Sequence, residues 1–126
     1  MDILSAPGAP AAVGPYSHAV RADGFLFCSG QVGLDAEAGT LVPGGVEAEA
    51  RQAFINIRAV LAAADLTLQD VVKATVFLST MDDFSRVNAI YAEAFDGHKP
   101  ARSTVAVAGL PVGALVEIEV VAVLRD

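Results

Sequence analysis

Two stretches of the chain repeat apolar residues at intervals of three and four, and stretches with an alternating pattern lie around them. The first repeat predicts an amphipathic helix of about five turns, with apolar positions at Val46, Ala50, Phe54, Ile57, Leu61 and Ala64. The second helix is predicted to begin at the capping pattern Thr80-Met81-Asp82-Asp83 and to end at Gly97. Its stripe is Phe84, Val87, Tyr91, Ala94 and Phe95. Both helices must cover their apolar stripes, so they require a common packing surface.

Strand patterns supply that surface. The segments His18–Ala22 and Phe25–Ser29 are predicted to form a β-hairpin, because the Asp-Gly pair between them is a strong two-residue turn signal. A further strand is predicted over Val71–Ser79, and two more over residues 100–107 and 116–123. The order is therefore hairpin, helix, strand, helix and two strands.

This order predicts an α+β fold, a two-layer sandwich in which two helices cover one face of a mixed, mostly antiparallel sheet. Residues 1–126 would form one domain. Asp2–Gly14 is expected to be an irregular surface arm, and Gly33–Gly45 a loop with a short strand at residues 40–42. The uncovered sheet face would carry apolar residues, and packing against copies of the same chain is the simplest way to close it.

The last two strands carry charges within apolar runs, and this makes them the expected functional centre. The turn residues after position 109 favour an antiparallel hairpin, which would place Arg102 and Thr104 on the same face as Glu117 and Glu119. A guanidinium presents two parallel donors to a carboxylate, so Arg102 is suited to bind a small organic acid. An internal salt bridge from Arg102 to one of the two glutamates is the equally weighted alternative.

Composition narrows the class of protein. The formal net charge is −7 and the eight basic residues are scattered, which argues against a nucleic-acid partner. No run of 18 or more uncharged apolar residues is present, so a membrane span is not expected. The first five residues lack the pattern of a signal peptide, and Cys28 is the only cysteine. A cytoplasmic protein without a disulfide is expected.

Two residues near the first hairpin are candidates for a ligand cleft. Gly30 follows Ser29 at the end of the second strand, where a missing side chain allows close approach of a ligand; a β-bulge or a strand end is the favoured alternative. Tyr16 lies in the rigid turn Gly14-Pro15, so its hydroxyl could reach a pocket or its ring could cover the sheet edge.

Other reactive side chains are interpreted as structural. His18 is expected to be a packing residue in a strand, and His98 a solvated residue at a helix end. Neither has a ligand-like partner at short spacing, so no metal is expected. Cys28 is interpreted as a small buried hydrophobe, and Asn88 as an amide that ties neighbouring backbone.

Taken together, these motifs resemble one family over nearly the whole chain. They are Gly14-Pro15-Tyr16-Ser17, Ser29-Gly30-Gln31, Arg51-Gln52 with Asn56, Asn88, Pro100-Ala101-Arg102-Ser103, Leu110-Pro111 and Val116-Glu117-Ile118-Glu119. The combination is similar to that of the RidA/YjgF family of reactive intermediate deaminases.

The resemblance implies a chorismate-mutase-like sandwich that assembles as a homotrimer, with ligand clefts between subunits and no cofactor. It implies hydrolysis of 2-imino acids or their enamine tautomers, released by pyridoxal-phosphate enzymes, to 2-keto acids and ammonia. Arg102 would bind the substrate carboxylate, and Glu117 would orient water or relay its proton. Tyr16, Ser29, Gly30 and Thr104 would line the cleft, with Asn88 as a structural residue beside it.

Three departures from the family pattern bear on the substrate. Thr104 stands where the archetype has a cysteine, the loop before Pro100 is short, and Gly109 replaces a larger residue. These differences predict an altered pocket wall. A small-carboxylate-binding or chaperone-like member without turnover is one alternative. A ribonuclease or translation inhibitor is another, and the acidic net charge weighs against it.

Overall fold

The computed structural model describes residues 1–125 and contains seven strands, two α-helices and three short 3₁₀ turns. The helices are α1 (Gly45–Ala62) and α2 (Phe84–Phe95). The strands are β1 (Asp2–Leu4), β2 (Ala19–Ala22), β3 (Phe25–Cys28), β4 (Gln31–Val32), β5 (Val71–Leu78), β6 (Ala101–Ala106) and β7 (Val116–Val123). They form one sheet in the order β1-β2-β3-β7-β5-β6, with β4 also paired to β7. Only β5 and β6 are parallel, so the predicted mixed, mostly antiparallel sheet is confirmed.

The first hairpin forms where the sequence predicts it. Asp23 and Gly24 have φ angles of 48° and 83°, the left-handed pair that a two-residue type I′ turn requires. The turn sets the register, in which Ala22 lies opposite Phe25 and Ala19 lies opposite Cys28. Local turn chemistry therefore fixes this edge of the sheet.

Both helices lie on one face of the sheet and bury the predicted stripes. The side chains of Phe54, Tyr91 and Phe95 form an aromatic cluster with ring centroids 4.6 to 5.9 Å apart. On the sheet, alternate residues of β5 and β7 face this cluster and are at most 2% exposed: Ala74, Val76, Leu78, Val116, Ile118, Val120 and Ala122. Each large side chain buried in this way stabilises the fold by about 1.5–3 kcal/mol.

Two buried polar residues of α1 fix the loops around the sheet. Asn56 is fully buried; its Nδ2 donates to the carbonyl oxygens of Val32 and Leu34 at 3.1 and 2.9 Å. Glu49 is 5% exposed, and its Oε1 accepts the backbone N–H of Leu115 at 2.8 Å. Buried polar groups need such partners, so these contacts hold both the loop after β4 and the start of β7 in place.

The N-terminal segment is more ordered than the sequence predicts. Its first residues form β1, which pairs with β2, and the imidazole of His18 anchors the rest of the segment. His18 Nδ1 accepts the N–H of Ala6 at 2.9 Å and its Nε2 donates to the carbonyl oxygen of Pro10 at 2.7 Å. His18 is thus a buried packing residue, as predicted, whereas the expected irregular arm was wrong for β1. At residues 40–42 only an isolated bridge between Leu34 and Leu41 forms.

The predicted hairpin between the last two strands was wrong. β5 lies between β6 and β7, so Arg102 is opposite Ala74 of β5 and Glu117 is opposite Phe77 of the same strand. Residues paired across a sheet share a face, and successive residues of one strand point to opposite faces. Ala74 and Phe77 are three positions apart on β5, so their partners Arg102 and Glu117 lie on opposite faces of the sheet. Arg102 faces the helix layer, and Glu117 faces away from it.

The sheet face opposite the helices is uncovered in the single chain. Phe25, Phe27, Val105 and Val123 are 39 to 48% exposed there, alongside Glu117 and Glu119. This matches the uncovered apolar face predicted from the sequence. Within residues 1–125, neither helix combines the length and the apolar character that crossing a bilayer demands.

Candidate functional site

Arg102 is held beneath α2 by three contacts. Its Nη1 donates to Oδ1 of Asn88 at 2.6 Å, and its Cζ lies 4.7 Å from the ring centroid of Tyr91 and 5.7 Å from that of Phe84. A guanidinium over an aromatic face is attracted by the ring quadrupole, and the asparagine fixes the rotation of the group. Arg102 forms no ion pair within residues 1–125, so the internal salt bridge considered above is not formed there.

A cavity of about 460 Å³ opens beside this guanidinium. Its wall includes Arg102 and Lys99, together with Asn88 and Tyr91, and none of its lining residues among residues 1–125 carries a carboxylate. Two cationic side chains in a wall without carboxylates make this cavity attractive to a small anion. Arg102 retains N–H donors beyond the one used by Asn88, which leaves it able to bind a carboxylate.

Two structural predictions about this region need correction. His98 was expected to be solvated, but it is only partly exposed and its Nε2 donates to the carbonyl oxygen of Val71 at 2.7 Å. Asn88 was expected to tie backbone, but its amide oxygen binds the side chain of Arg102. Both errors arise because these contacts join residues that are far apart in the sequence.

Glu117 lies in a second, separate cavity of about 130 Å³, which is also lined by Tyr16, Gly30 and Gln31. Gly30 makes the closest approach. A Cβ at position 30 would lie 2.9 Å from Cδ and 3.0 Å from Cγ of Glu117, so only glycine leaves this carboxylate in place. Burial, and then the nearby Glu119 carboxylate, raise the pKa of Glu117 above its ordinary value.

Gly30 also interrupts the strand, as the alternative interpretation predicted. Phe27 of β3 pairs with Val121 of β7, and Gln31 of β4 pairs with Ile118 of β7. Three residues separate Phe27 from Gln31, whereas two residues separate Ile118 from Val121. This extra residue is the hallmark of a β-bulge. The bulge and the close approach to Glu117 are therefore two aspects of one feature.

The other predicted cleft residues are Ser29, Tyr16 and Thr104, and they do not all lie in the same cavity. The hydroxyl of Ser29 donates to the carbonyl oxygen of Ser17 at 2.6 Å, which uses it to hold the first hairpin. Tyr16 is 52% exposed and lines the Glu117 cavity. Thr104 lies on the Arg102 side, two residues further along β6.

Sequence reasoning missed Tyr91 and Lys99. Tyr91 was assigned only to the buried stripe of α2, yet it lies against Arg102 and carries a hydroxyl that a packing residue does not need. The signal was a tyrosine where phenylalanine would pack equally well. Lys99 lacked any sequence signal, because its role depends on how the segment before β6 folds under α2.

The fold and these two cavities define a two-layer α+β protein with a cationic cavity beneath its second helix and a carboxylate on the opposite sheet face. Comparison with known proteins is consistent with this class. A model of the family described as Endoribonuclease L-PSP matches residues 6–124. Mouse 2-iminobutanoate/2-iminopropanoate deaminase is 52% identical over 96% of this chain and 90% of its own length.

Solved structures give the same result. The Escherichia coli YjgF gene product is 41% identical with a TM-score of 0.93, covering 99% of this chain and 100% of that one. Escherichia coli TdcF with bound serine is 37% identical with a TM-score of 0.93, and the match covers 100% of both chains. The chain belongs to the endoribonuclease L-PSP family, and the RidA/YjgF resemblance of its motifs is confirmed.

Proposed function

We propose that this protein hydrolyses small 2-imino acids, or their enamine tautomers, to 2-keto acids and ammonia. The proposal is supported by the relatives named 2-iminobutanoate/2-iminopropanoate deaminase. The observation that carries it is the orientation of Arg102 by Asn88 and Tyr91 beside a cavity that lacks carboxylates. The protein would act in the cytoplasm, where it would remove reactive products of pyridoxal-phosphate enzymes.

Arg102 would bind the substrate carboxylate. Bidentate pairing of a guanidinium with a carboxylate fixes both the position and the plane of a small acid. For a substrate with only a few carbon atoms, this contact would supply most of the orientation that the reaction needs. Lys99 would add to the positive potential at the mouth of the cavity.

Glu117 would move the proton. Water adds to C2 of the N-protonated imino acid while one of its protons passes to the Glu117 carboxylate, which gives a neutral carbinolamine at C2. Glu117 returns this proton to the nitrogen, and the C2–N bond then breaks to release ammonia. The C2 hydroxyl becomes the keto group by giving its proton to the Glu117 carboxylate, which passes it to the departing ammonia as ammonium. A raised pKa suits a carboxyl group that must accept and return a proton near neutral pH.

Arg102 and Glu117 would meet only between subunits. Within one chain they lie in separate cavities and on opposite faces of the sheet. The uncovered face with Phe25, Phe27 and Val105 offers an apolar surface for assembly. A homotrimer built on this face would place Arg102 of one subunit near Glu117 of the next and close the cleft.

The reaction can be tested by coupling the protein to threonine dehydratase and trapping the remaining imine with semicarbazide. The parent should reduce the semicarbazone yield, and Arg102→Ala should lower kcat/KM by about 100-fold or more, because a charged hydrogen-bond partner is lost. Arg86→Ala is the matched control, since Arg86 is an exposed arginine of α2 that contacts Asp83 at 3.4 Å. An unchanged semicarbazone yield with the parent would contradict the proposal.

A second candidate is binding of small carboxylates without turnover. It is favoured by one observation: Glu117 is not among the residues that line the Arg102 cavity of the single chain. Tight binding of 2-ketobutyrate by calorimetry, with no effect on imine decay, would select this candidate. Incubation of the protein with single-stranded RNA distinguishes these two candidates from a ribonuclease. Both candidates predict that the RNA is not cleaved.

A further inference from the structure

Two buried hydroxyls lie next to Arg102 without a protein partner. They are the OH of Tyr91 and Oγ1 of Thr104, and neither hydrogen-bonds to any atom of residues 1–125. Tyr91 is only 8% exposed, and each hydroxyl oxygen is shielded from solvent. Burying an unpaired hydroxyl is unfavourable, so two together indicate a shared partner.

Tyr91 and Thr104, the residues that carry these hydroxyls, line the same small cavity. Its volume is about 10 Å³ and it lies between β6 and α2, with Asn88 and Arg102 also in its wall. A cavity needs a volume of roughly 10–15 Å³ and two or more polar partners to hold one water molecule. The remaining lining is apolar, namely Val76, Leu78, Phe84 and Val87.

We propose that one water molecule bridges the Tyr91 and Thr104 hydroxyls in this cavity and makes Tyr91 a positioning residue for Arg102. The centroid of the Tyr91 ring lies 4.7 Å from Cζ of Arg102, so the tilt of the ring sets the position and plane of the guanidinium. Thr104 points to the same side of β6 as Arg102, two residues away. The water therefore connects Tyr91 of α2, which contacts the guanidinium, to Thr104 of β6, the strand that carries Arg102.

Threonine is suited to this role at position 104. Its hydroxyl both donates and accepts, so it can pair with a water in either orientation. A cysteine offers only a weak donor and acceptor there. The functional part of this inference, better carboxylate binding by Arg102, rests on the proposed function; the water site itself does not.

A double-mutant cycle of Thr104→Val and Tyr91→Phe tests the water site. Each single variant should lower Tm by about 3 °C, because a buried hydrogen bond is lost. The double variant should fall by about the same amount, since one shared water is lost only once. Thr104→Ser keeps the hydroxyl and should match the parent.

Hydroxyls that were simply unpaired would behave differently. Removing each would leave Tm unchanged or raise it, and the two effects would add, which would overturn the inference. A crystal structure at high resolution gives a direct check. It should contain an ordered water within hydrogen-bonding distance of both oxygens, and a dry cavity would equally overturn it.

The effect on Arg102 is tested with 2-ketobutyrate as the probe. Calorimetry should give a Kd about fivefold weaker for Thr104→Val, with Thr104→Ser restoring the parental value. In the imine assay, Thr104→Val should raise KM by a similar factor with little change in kcat. Unchanged Kd in Thr104→Val would refute the positioning role. A parent without imine hydrolysis would refute the proposed function alone, because the stability cycle and the 2-ketobutyrate binding remain measurable.

Discussion

Replacing Gly30 by alanine should disable the site without unfolding the protein. The new Cβ would lie 2.9 Å from Cδ of Glu117, whereas carbon atoms at optimal contact are about 3.5–4.0 Å apart, so the carboxylate must move by roughly 0.5–1 Å. A displacement of that size at a reacting group can lower the rate by about 100-fold. The contact is with the end of a flexible side chain, so the free energy of unfolding should change by less than about 1 kcal/mol.

Two other glycines provide matched controls for this variant. At Gly33 a Cβ would lie 2.6 Å from Cα and 2.7 Å from the backbone oxygen of Glu49, so Gly33→Ala should lose about 1–3 kcal/mol of stability. At Gly109 no heavy atom of residues 1–125, apart from the glycine and its two chain neighbours, lies within 4 Å of the added Cβ, so Gly109→Ala should keep the parental Tm. Semicarbazone trapping gives kcat/KM, and thermal unfolding gives Tm. Parental activity in Gly30→Ala, or a loss of stability as large as that of Gly33→Ala, would refute the reasoning.

Three further predictions concern single side chains. Burial raises the pKa of Glu117 above 4.5, so the charged carboxylate destabilises the fold at neutral pH, and this penalty disappears as the pH falls towards 4.5. Glu117→Gln should therefore raise Tm at pH 7 and lower activity. A lower Tm at pH 7 would contradict this. Asn56→Ala should cost about 3 kcal/mol in urea unfolding, because two backbone carbonyls lose their donor, while Gln52→Ala removes one hydrogen bond and should cost about 1 kcal/mol. Burial raises the pKa of the Cys28 thiol to about 12, so iodoacetamide at pH 8 should modify it only after denaturation, and a mass shift of the native protein would count against this burial.

The elements that depend on local sequence were predictable. The stripes of α1 and α2 follow from apolar spacing, and the first hairpin follows from the conformational freedom of Asp23-Gly24. The uncovered apolar face follows from having only two helices to cover one sheet. The helices and the hairpin depend on residues that are close together in the chain.

Strand partners were predicted less well, because they depend on distant residues. The turn signals between β6 and β7 suggested a hairpin, but β5 lies between these strands. A better signal was present: β5, α2 and β6 form a strand–helix–strand unit, the usual connection between parallel strands. This error also placed Arg102 and Glu117 on one face, and so concealed their separation.

The site was predicted as a set of residues but not as an arrangement. Arg102 and Glu117 attract notice as charges in apolar strands, and Gly30 as a glycine at a strand end. The contact of Arg102 with Asn88 and Tyr91 exists only because the crossover places α2 above β6. Glu49 is buried, and no local sequence pattern indicates this, because its hydrogen-bond partner Leu115 is 66 positions away.

The most direct test of the account is to mix two inactive variants, Arg102→Ala and Glu117→Gln, under different affinity tags and to isolate the assemblies that carry both tags. If each site takes Arg102 from one subunit and Glu117 from the next, every mixed trimer contains one intact site. An equal, unfractionated mixture should then regain about a quarter of the parental imine hydrolysis. Activity no higher than that of the separate variants would show that the two residues do not act together across a subunit boundary.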